Sequence, residues 1–164
     1  MPQKTEAVKK ERQEAYQSAV RILGVREHNE YELREKLKAK AYDDIIIDGV
    51  IEDLKQYDYL NEVRYAETFL RSRLKKGETP WFAAQKAKQR GAEAQAVKLA
   101  LEATEQGFDA WSACKDVLDK RDPMRLYKQD KRLWQRQMRY LQNKGYDLNT
   151  ILQVMNDADN NEDE

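Results

Sequence analysis

Residues that could perform catalysis or bind a metal are scarce in this chain of 164 residues, which has one histidine, His28, and one cysteine, Cys114. His28 precedes a predicted helix start, and we expect an exposed loop or capping residue, because an isolated ionisable group lacks a catalytic partner. Cys114 shares an apolar helix face with Trp111 and Leu118, which favours a buried, inert thiol. No glycine-rich phosphate loop is present. The sequence therefore predicts a protein that is not an enzyme and that has no cofactor and no metal site.

Two basic segments stand out although the formal net charge is zero. Residues 64–98 carry 9 basic and 3 acidic side chains, and residues 120–144 carry 9 basic and 2 acidic ones. On one continuous eighth helix, five cations of the second segment would fall within an arc of about 80°. The candidate partner-binding or DNA-binding residues are Arg71, Arg73, Lys75, Lys76, Lys86, Lys88 and Arg90 in the first segment and Arg125, Lys128, Arg132, Arg136 and Arg139 in the second.

In a cationic stripe without interleaved acids, each pair of neighbouring like charges destabilises the helix by a few tenths of a kcal/mol. An anionic partner would offset that cost. Phosphate backbones and acidic protein grooves both qualify. No aromatic platform accompanies the stripe, so base stacking is not implied. The pair Trp81–Phe82 has two interpretations: one ring fills the volume beside the small residues of an alanine-rich helix, or one ring is exposed for a partner.

The elements that position these residues are all predicted to be helices, because good helix formers dominate and strand alternation is absent. Capping residues, proline and glycine divide the chain into nine helices. The first helix is predicted over Glu14–Arg26, the second begins at Asn29, and the third begins at Asp43 or Asp44. The fourth runs from Asn61 to Gly77, the fifth from Thr79–Pro80 to Gly91, and the sixth over Glu93–Gln106. The seventh begins at Asp109, the eighth runs from Asp122 or Asp130 to Gly145, and the ninth begins at Asp147.

These helices repeat in threes. The patterns Leu37-x-x-x-Ala41, Ala87-x-x-x-Gly91 and Leu141-x-x-x-Gly145 are each followed by apolar residues at equal offsets. One unit of about 48 residues buries too little surface to be stable alone, so we expect three tandem three-helix repeats stacked into an elongated, curved, all-α array. The predicted segments are a flexible 1–13, repeats at 14–60, 61–107 and 108–156, and a disordered acidic tail at 157–164.

The amino-acid composition limits where in the cell the protein is expected. Charged residues make up 37% of the chain, and the mean hydropathy of −1.00 leaves no run of about 20 apolar residues for a membrane span. The first thirteen residues lack the apolar core of a signal peptide. A single cysteine excludes an internal disulfide framework. We therefore expect a monomer in a reducing cytoplasm, with no membrane association.

Several motifs, low in complexity singly, are specific in their order and spacing. They are Ala19–Leu23 followed by Arg26–Leu37, Tyr59–Ala66, Arg71-x-Arg73-x-x-Lys76-Gly77-x-x-Pro80, Lys88-x-Arg90-Gly91 and Tyr140-Leu141-x-x-x-Gly145-Tyr146. On these motifs the sequence resembles the RecX family of bacterial recombination regulators, from about Ala15 to Asp157. Thr79 departs from the glycine common in the family, and Ala83, Ala84 and Ala87 are smaller than the usual aliphatic residues.

The resemblance implies tandem three-helix repeats and a regulatory role in recombination, DNA repair and the SOS response. Members of the family bind in the groove of the RecA–DNA filament and limit filament growth, strand exchange and ATP hydrolysis; they also bind DNA weakly and without specificity. The cationic candidates would then dock electrostatically. The alternative is a stand-alone helical DNA-binding module with weak sequence preference, because tri-helical units resemble helix-turn-helix elements.

Overall fold

The computed structural model describes residues 2–157 and contains within that range nine α-helices, one 3-10 turn and no strand. The predicted all-α class is confirmed. The helices are α1 (Pro2–Val25), α2 (Glu30–Ala39), α3 (Asp44–Gln56), α4 (Glu62–Lys75), α5 (Pro80–Gln89), α6 (Ala94–Glu105), α7 (Ala110–Arg121), α8 (Lys131–Asn143) and α9 (Leu148–Asp157), and the 3-10 turn Leu126–Lys128 precedes α8.

Side-chain caps fix most helix starts where the sequence predicts them. The Asn29 side chain accepts a hydrogen bond from the backbone N–H of Glu32 at 2.8 Å, and Asp43 accepts one from Ile46 at 3.1 Å. Asp147 caps α9 by accepting from both the backbone N–H and the hydroxyl of Thr150. Each cap satisfies an N–H group that has no partner within its own helix.

One predicted boundary is wrong, and the eighth helix starts at one of its two predicted positions. The first helix begins at Pro2 and not at Glu14, so residues 2–13 are helical where a flexible segment was predicted. This stretch has no apolar face to signal a helix, but it consists largely of good helix formers, and the Arg12 guanidinium ties it to Asp53 at 2.6 Å and to the carbonyl of Gly49 at 3.2 Å. The eighth helix begins after Asp130, whose side chain caps it.

The described residues form two compact units, each with its own core. The first unit comprises the described residues up to Phe69 together with Lys86–Ala100, and the second comprises Leu70–Gln85 and the described residues from Leu101. Both cores bury the predicted apolar faces. The first core consists of Ala15, Ala19, Leu33, Leu37, Ile46, Ile47, Val50, Ile51, Leu54 and Leu60. The second consists of Cys114, Leu118, Tyr127, Leu141, Tyr146, Ile151, Val154 and Met155.

The three aligned small residues occupy one structural position, the left-handed turn after the second helix of each triplet. The φ angles are 67° at Ala41, 88° at Gly91 and 100° at Gly145. A left-handed residue allows the chain to leave a helix and satisfy its last carbonyl groups. The same turn thus recurs in α1–α3, α4–α6 and α7–α9, as a tandem repeat requires. The boundaries predicted for the repeats stay a prediction, and residues 158–164 of the predicted acidic tail lie outside the described residues.

Ala41 is the one member of this set that is not glycine, and Ala41→Gly is expected to stabilise the protein. The left-handed conformation costs a non-glycine residue about 1–2 kcal/mol, whereas glycine adds entropy to the unfolded chain, so the net gain is about 0.5–1 kcal/mol. Urea denaturation measures it. The matched control is Ala39→Gly at the last residue of α2, which relieves no left-handed strain and should not stabilise the protein. A loss of stability in both variants would contradict the assignment.

Candidate partner-binding surfaces

One cationic surface lies on α8. Arg132, Arg136 and Arg139 are exposed, fall within about 60° of arc and line a surface cleft of about 410 Å³ with Gln135. The opposite face of the helix buries Leu141 in the second core. No acidic residue occurs from Lys131 to Tyr146. We name these three arginines the α8 face.

Arg125 and Lys128 do not extend the α8 face along one helix, so the predicted five-residue stripe is wrong. Arg125 has a left-handed φ of 52°, and Lys128 ends the 3-10 turn. The cause is Asp122, which is buried and accepts the backbone N–H groups of Leu126 at 3.1 Å and Tyr127 at 3.0 Å. This cap, with the ring of Tyr127 buried in the core, folds the segment into a loop. Asp122 is a loop cap, and Asp130 is the true helix start.

The candidates of the first basic segment divide between the two units. Arg71, Arg73, Lys75 and Lys76 lie in the second unit, and Lys86, Lys88 and Arg90 lie in the first. Arg71, Lys75, Lys76, Lys88 and Arg90 are exposed, whereas Arg73 and Lys86 are half-buried.

Arg73 has a structural partner. Its guanidinium donates a hydrogen bond to each carboxylate oxygen of Glu78, at 2.8 and 2.7 Å. Glu78 is only 5% exposed. Loss of one member of such a pair leaves a buried charge without compensation. A variant of Arg73 would therefore report folding as well as docking, and it is a poor probe of partner binding.

Arg90 also makes contacts within its own unit. Its guanidinium carbon lies 5.2 Å from the centre of the Phe69 ring, a cation–π distance. Its backbone carbonyl accepts a hydrogen bond from the Asn29 side chain at 3.0 Å. The Arg90 side chain is nevertheless exposed, so it keeps donors for a partner.

A second surface rich in cations lies in the second unit and forms a groove of about 680 Å³. Its lining includes the acidic residues Glu78 and Asp116 and the cations and aromatic rings of Lys75, Lys76, Lys120, Arg121, Tyr140 and Tyr146. The Arg121 guanidinium carbon lies 3.6 Å above the Tyr140 ring centre, and its Nε donates to Gln137 at 2.8 Å. Lys144 lies 5.3 Å from the same ring and donates to the Lys76 carbonyl at 2.9 Å. The aromatic ring thus holds two cations in place.

Lys120, Arg121 and Lys144 were not among the predicted candidates. Arg121 lies on α7, so its approach to the Tyr140 ring is a tertiary contact that no spacing rule shows. Lys144 follows Tyr140 by four residues, a helical spacing that was the available signal, together with the Tyr140–Tyr146 motif. Trp81 is 59% exposed and Phe82 is half-buried, so one ring of the pair is exposed, and its contact with a partner stays a prediction.

The two residues with possible reactive chemistry are both buried. Cys114 is buried, as predicted, and burial raises the pKa of its thiol to about 12, which disfavours the reactive thiolate. His28, predicted to be exposed, is 2% exposed. Its Nδ1 lies 2.9 Å from the carbonyl of Arg26, an acceptor, so Nδ1 carries the hydrogen. Among the described residues there is no group of three or more His, Cys, Asp and Glu side chains that could hold a metal ion.

His28 makes the stability of the fold depend on pH. Burial, opposed by the hydrogen bond to Arg26 and by Glu32 and aided by the charges of Arg26 and Lys36, lowers the pKa of His28 below its ordinary 6.5. The unfolded chain then binds the proton more tightly, so the free energy of unfolding falls as the pH drops below about 6.5. Its slope is at most about 1.4 kcal/mol per pH unit.

Chemical denaturation between pH 7.5 and 5.5 measures this slope, with His28→Gln as the comparison. The variant is expected to show a flatter profile, whatever its absolute stability. Equal slopes for both proteins would show that His28 is not the titrating group.

Together the fold and these surfaces define an all-helical protein built from tandem three-helix repeats that display exposed cationic faces. Models of the first and third three-helix domains of RecX match residues 15–54 and 109–155. The chain belongs to the RecX family of regulatory proteins. No helix among the described residues is long and apolar enough to cross a membrane.

Relatives extend this similarity over most of the chain. The chain is 31% identical over 146 residues to the regulatory protein RecX of Halorhodospira halophila, with 89% of each protein covered. It is 30% identical over 142 residues to the regulatory protein RecX of Ectopseudomonas mendocina, covering 87% of this chain and 93% of that protein. The crystal structure of RecX from Lactobacillus salivarius matches with a TM-score of 0.73 at 17% identity and covers 92% of this chain and 97% of that one. A second crystal structure, of regulatory protein RecX, matches with a TM-score of 0.71 at 18% identity. The match covers 90% of this chain and 73% of that one.

Proposed function

We propose that this protein is a negative modulator of the RecA recombinase that binds in the groove of the RecA–DNA filament and limits filament growth, strand exchange and ATP hydrolysis. The observation that carries the proposal is the α8 face, three exposed arginines on one side of a helix that has no acidic residue. The membership of the chain in a family of regulatory proteins supports the same role.

Arginine suits this task because its guanidinium presents several donors in a fixed fork that matches the paired oxygens of carboxylates and phosphates. A filament that carries nucleic acid inside a protein groove offers both kinds of anion. The remaining exposed candidates, Arg71, Lys75, Lys76, Lys88 and Arg90, add long-range attraction that speeds association and weakens with salt. In this proposal the protein binds and does not catalyse.

An ATPase assay tests the proposal directly. RecA is assembled on single-stranded DNA, and the hydrolysis rate is followed while the protein is added below the RecA concentration. We expect inhibition at low salt that fades as the salt concentration rises, because exposed ion pairs are screened beyond about 10 Å at 0.1 M. An unchanged rate at low salt, with the protein in excess, would refute the proposal.

The alternative proposal is a stand-alone DNA-binding module, which the α8 face also favours because exposed helix arginines can contact phosphates. A gel-shift measurement on naked DNA discriminates the two. A Kd below about 10⁻⁷ M at physiological salt would favour the module, and weaker binding favours the filament proposal. The monomeric state, the cytoplasmic location and the curved arrangement of the repeats stay predictions.

A further inference from the structure

A cleft in the first unit gathers positive charge that the proposed function does not use. It has a volume of about 290 Å³ and lies between the C-terminal half of α1 and the C-terminal end of α2. Its polar lining comes from three regions of the chain: Ser18 and Arg21 of α1, Arg26 and His28 of the following loop, and Lys36 and Lys40 at the end of α2. The cleft therefore depends on the fold and not on one charged run.

The charges around this cleft have a single sign. Four cations line it and no carboxylate does. The charge of Arg26 is partly neutralised by an ion pair with Glu32 at 3.0 Å, although Glu32 is not one of the residues that line the cleft. Arg21, Lys36 and Lys40 form no ion pair with a carboxylate of residues 2–157. Some other cations of this unit are paired with carboxylates, as Arg34 is with Glu30 and Asp48, whereas three cations in the lining of this cleft are not.

A purely structural reason accounts for only part of the cluster. Lys36 and Lys40 lie at the C-terminal end of α2, where a positive charge interacts favourably with the helix dipole. That reason does not extend to Arg21, which precedes the last turn of α1. Like charges that converge on one cleft raise the energy of the free protein, and a bound anion would remove that cost.

His28 adds an independent observation. Its ring is buried and contributes to the cleft wall, and its Nε2 has no hydrogen-bond partner within the described residues. Since Nδ1 donates to the Arg26 carbonyl, Nε2 of the neutral ring is an acceptor without a donor. Buried polar atoms in native structures are almost always paired, so Nε2 calls for a donor such as an ordered water or the P–OH group of a partly protonated phosphate.

We propose that this cleft binds a polyphosphate anion, such as pyrophosphate or the phosphate end of a nucleotide, with Arg21, Lys36 and Lys40 supplying the charge and Ser18 supplying a hydroxyl donor. Three unpaired cations in one cleft match a ligand with several charges on two linked phosphates better than a diester strand, which has one charge on each phosphate. The volume of the cleft admits a group of that size. The site lies in the first unit and does not depend on the α8 face.

The single histidine of the chain is a built-in reporter for this site. In the full-length protein, the His28 ring resonances are followed by NMR during titration with inorganic pyrophosphate. We expect saturable shifts at millimolar or lower concentration. Lys36→Gln is expected to weaken the apparent affinity at least fivefold, and Arg21→Gln should do the same. The control Lys38→Gln removes an equal charge two residues away, outside the cleft, and should change the affinity less than twofold.

Further titrations identify the source of the phosphate. ATP binding tighter than pyrophosphate would assign the site to nucleotides, and equal or weaker binding would assign it to the free anion. An unphosphorylated oligonucleotide, at equal phosphate concentration, should shift His28 far less. The proposal is overturned by absent or unsaturable shifts, by equal effects of Lys36→Gln and Lys38→Gln, or by an oligonucleotide as effective as pyrophosphate. Circular dichroism confirms that each variant is folded.

Discussion

Gly145→Ala is expected to lower the free energy of unfolding by about 3 kcal/mol or more. Gly145 has a φ of 100°, where an L side chain is strained. A Cβ atom there would lie 2.4 Å from the Thr79 hydroxyl oxygen and 2.5 Å from the Phe82 Cβ. Backbone strain of about 1–2 kcal/mol and an overpacking cost of about 1–3 kcal/mol act together. Urea denaturation followed by circular dichroism measures the loss.

The turn cannot easily move away from this clash, because it is hydrogen-bonded to the segment it contacts. The backbone N–H of Thr79 donates to the Lys144 carbonyl at 3.0 Å, and the Lys144 side chain donates to the Lys76 carbonyl. The control is Gly107→Ala, since a Cβ at Gly107 would meet nothing within 4 Å and its φ is not in the strained range. That variant should stay within about 0.5 kcal/mol of the parent. Equal stabilities of the two variants would contradict the packing described for Gly145.

Sequence rules that act over a few residues were sufficient to predict most of the helices. Asn29, Asp43 and Asp147 are caps that act on backbone groups a few residues away, so their effect is visible in the sequence. The repeat was visible for a similar reason, because Ala41, Gly91 and Gly145 perform the same turn after the same apolar pattern. The helical continuation before Glu14 was not visible, because the contacts of Arg12 are to Asp53 and Gly49 on α3.

The candidate surfaces were less predictable because burial and long-range pairing decide them. Arg73 and Arg136 look alike in the sequence, yet Arg73 grips the buried Glu78 whereas Arg136 is exposed. His28 was expected to be exposed, and tertiary packing buries it. The loop at Arg125 follows from Asp122, whose two accepted hydrogen bonds compete with a helical start. A charge pattern along one helix therefore predicts a charged surface, but only the folded structure shows which of those side chains are exposed on it.

The α8 face can be tested without damage to the fold. Arg132 and Arg136 are exposed and form no ion pair with a carboxylate of the described chain. Arg132 is the second residue of α8, where a glutamate interacts favourably with the helix dipole. Replacement of both arginines by glutamate exchanges one like-charge pair four residues apart for another of similar size, and the new carboxylate at position 136 gains an attraction to Arg139. The double variant should therefore keep its helicity and its melting temperature.

The double variant R132E/R136E is expected to inhibit RecA at least tenfold less well than the parent, a loss of about 1.4 kcal/mol or more in binding free energy. Two attractions are lost, and the new carboxylates are repelled by the phosphates or acidic groups that the arginines would contact. If the contacts are to phosphates of single-stranded DNA, the slope of log K against log salt concentration should also become shallower by about 1.4. ATPase inhibition, titrated at three salt concentrations, measures both quantities.

The matched control is Lys9→Glu with Lys10→Glu, which makes the same change in net charge on exposed positions of α1. If long-range attraction alone governed docking, both double variants would lose inhibition equally, because net charge acts without regard to position. A specific α8 contact instead predicts a large loss for the arginine variant and a small one for the lysine variant. Full inhibition by R132E/R136E, with helicity intact, would remove α8 from the interface and shift the docking site to the groove that contains Arg121 and Tyr140.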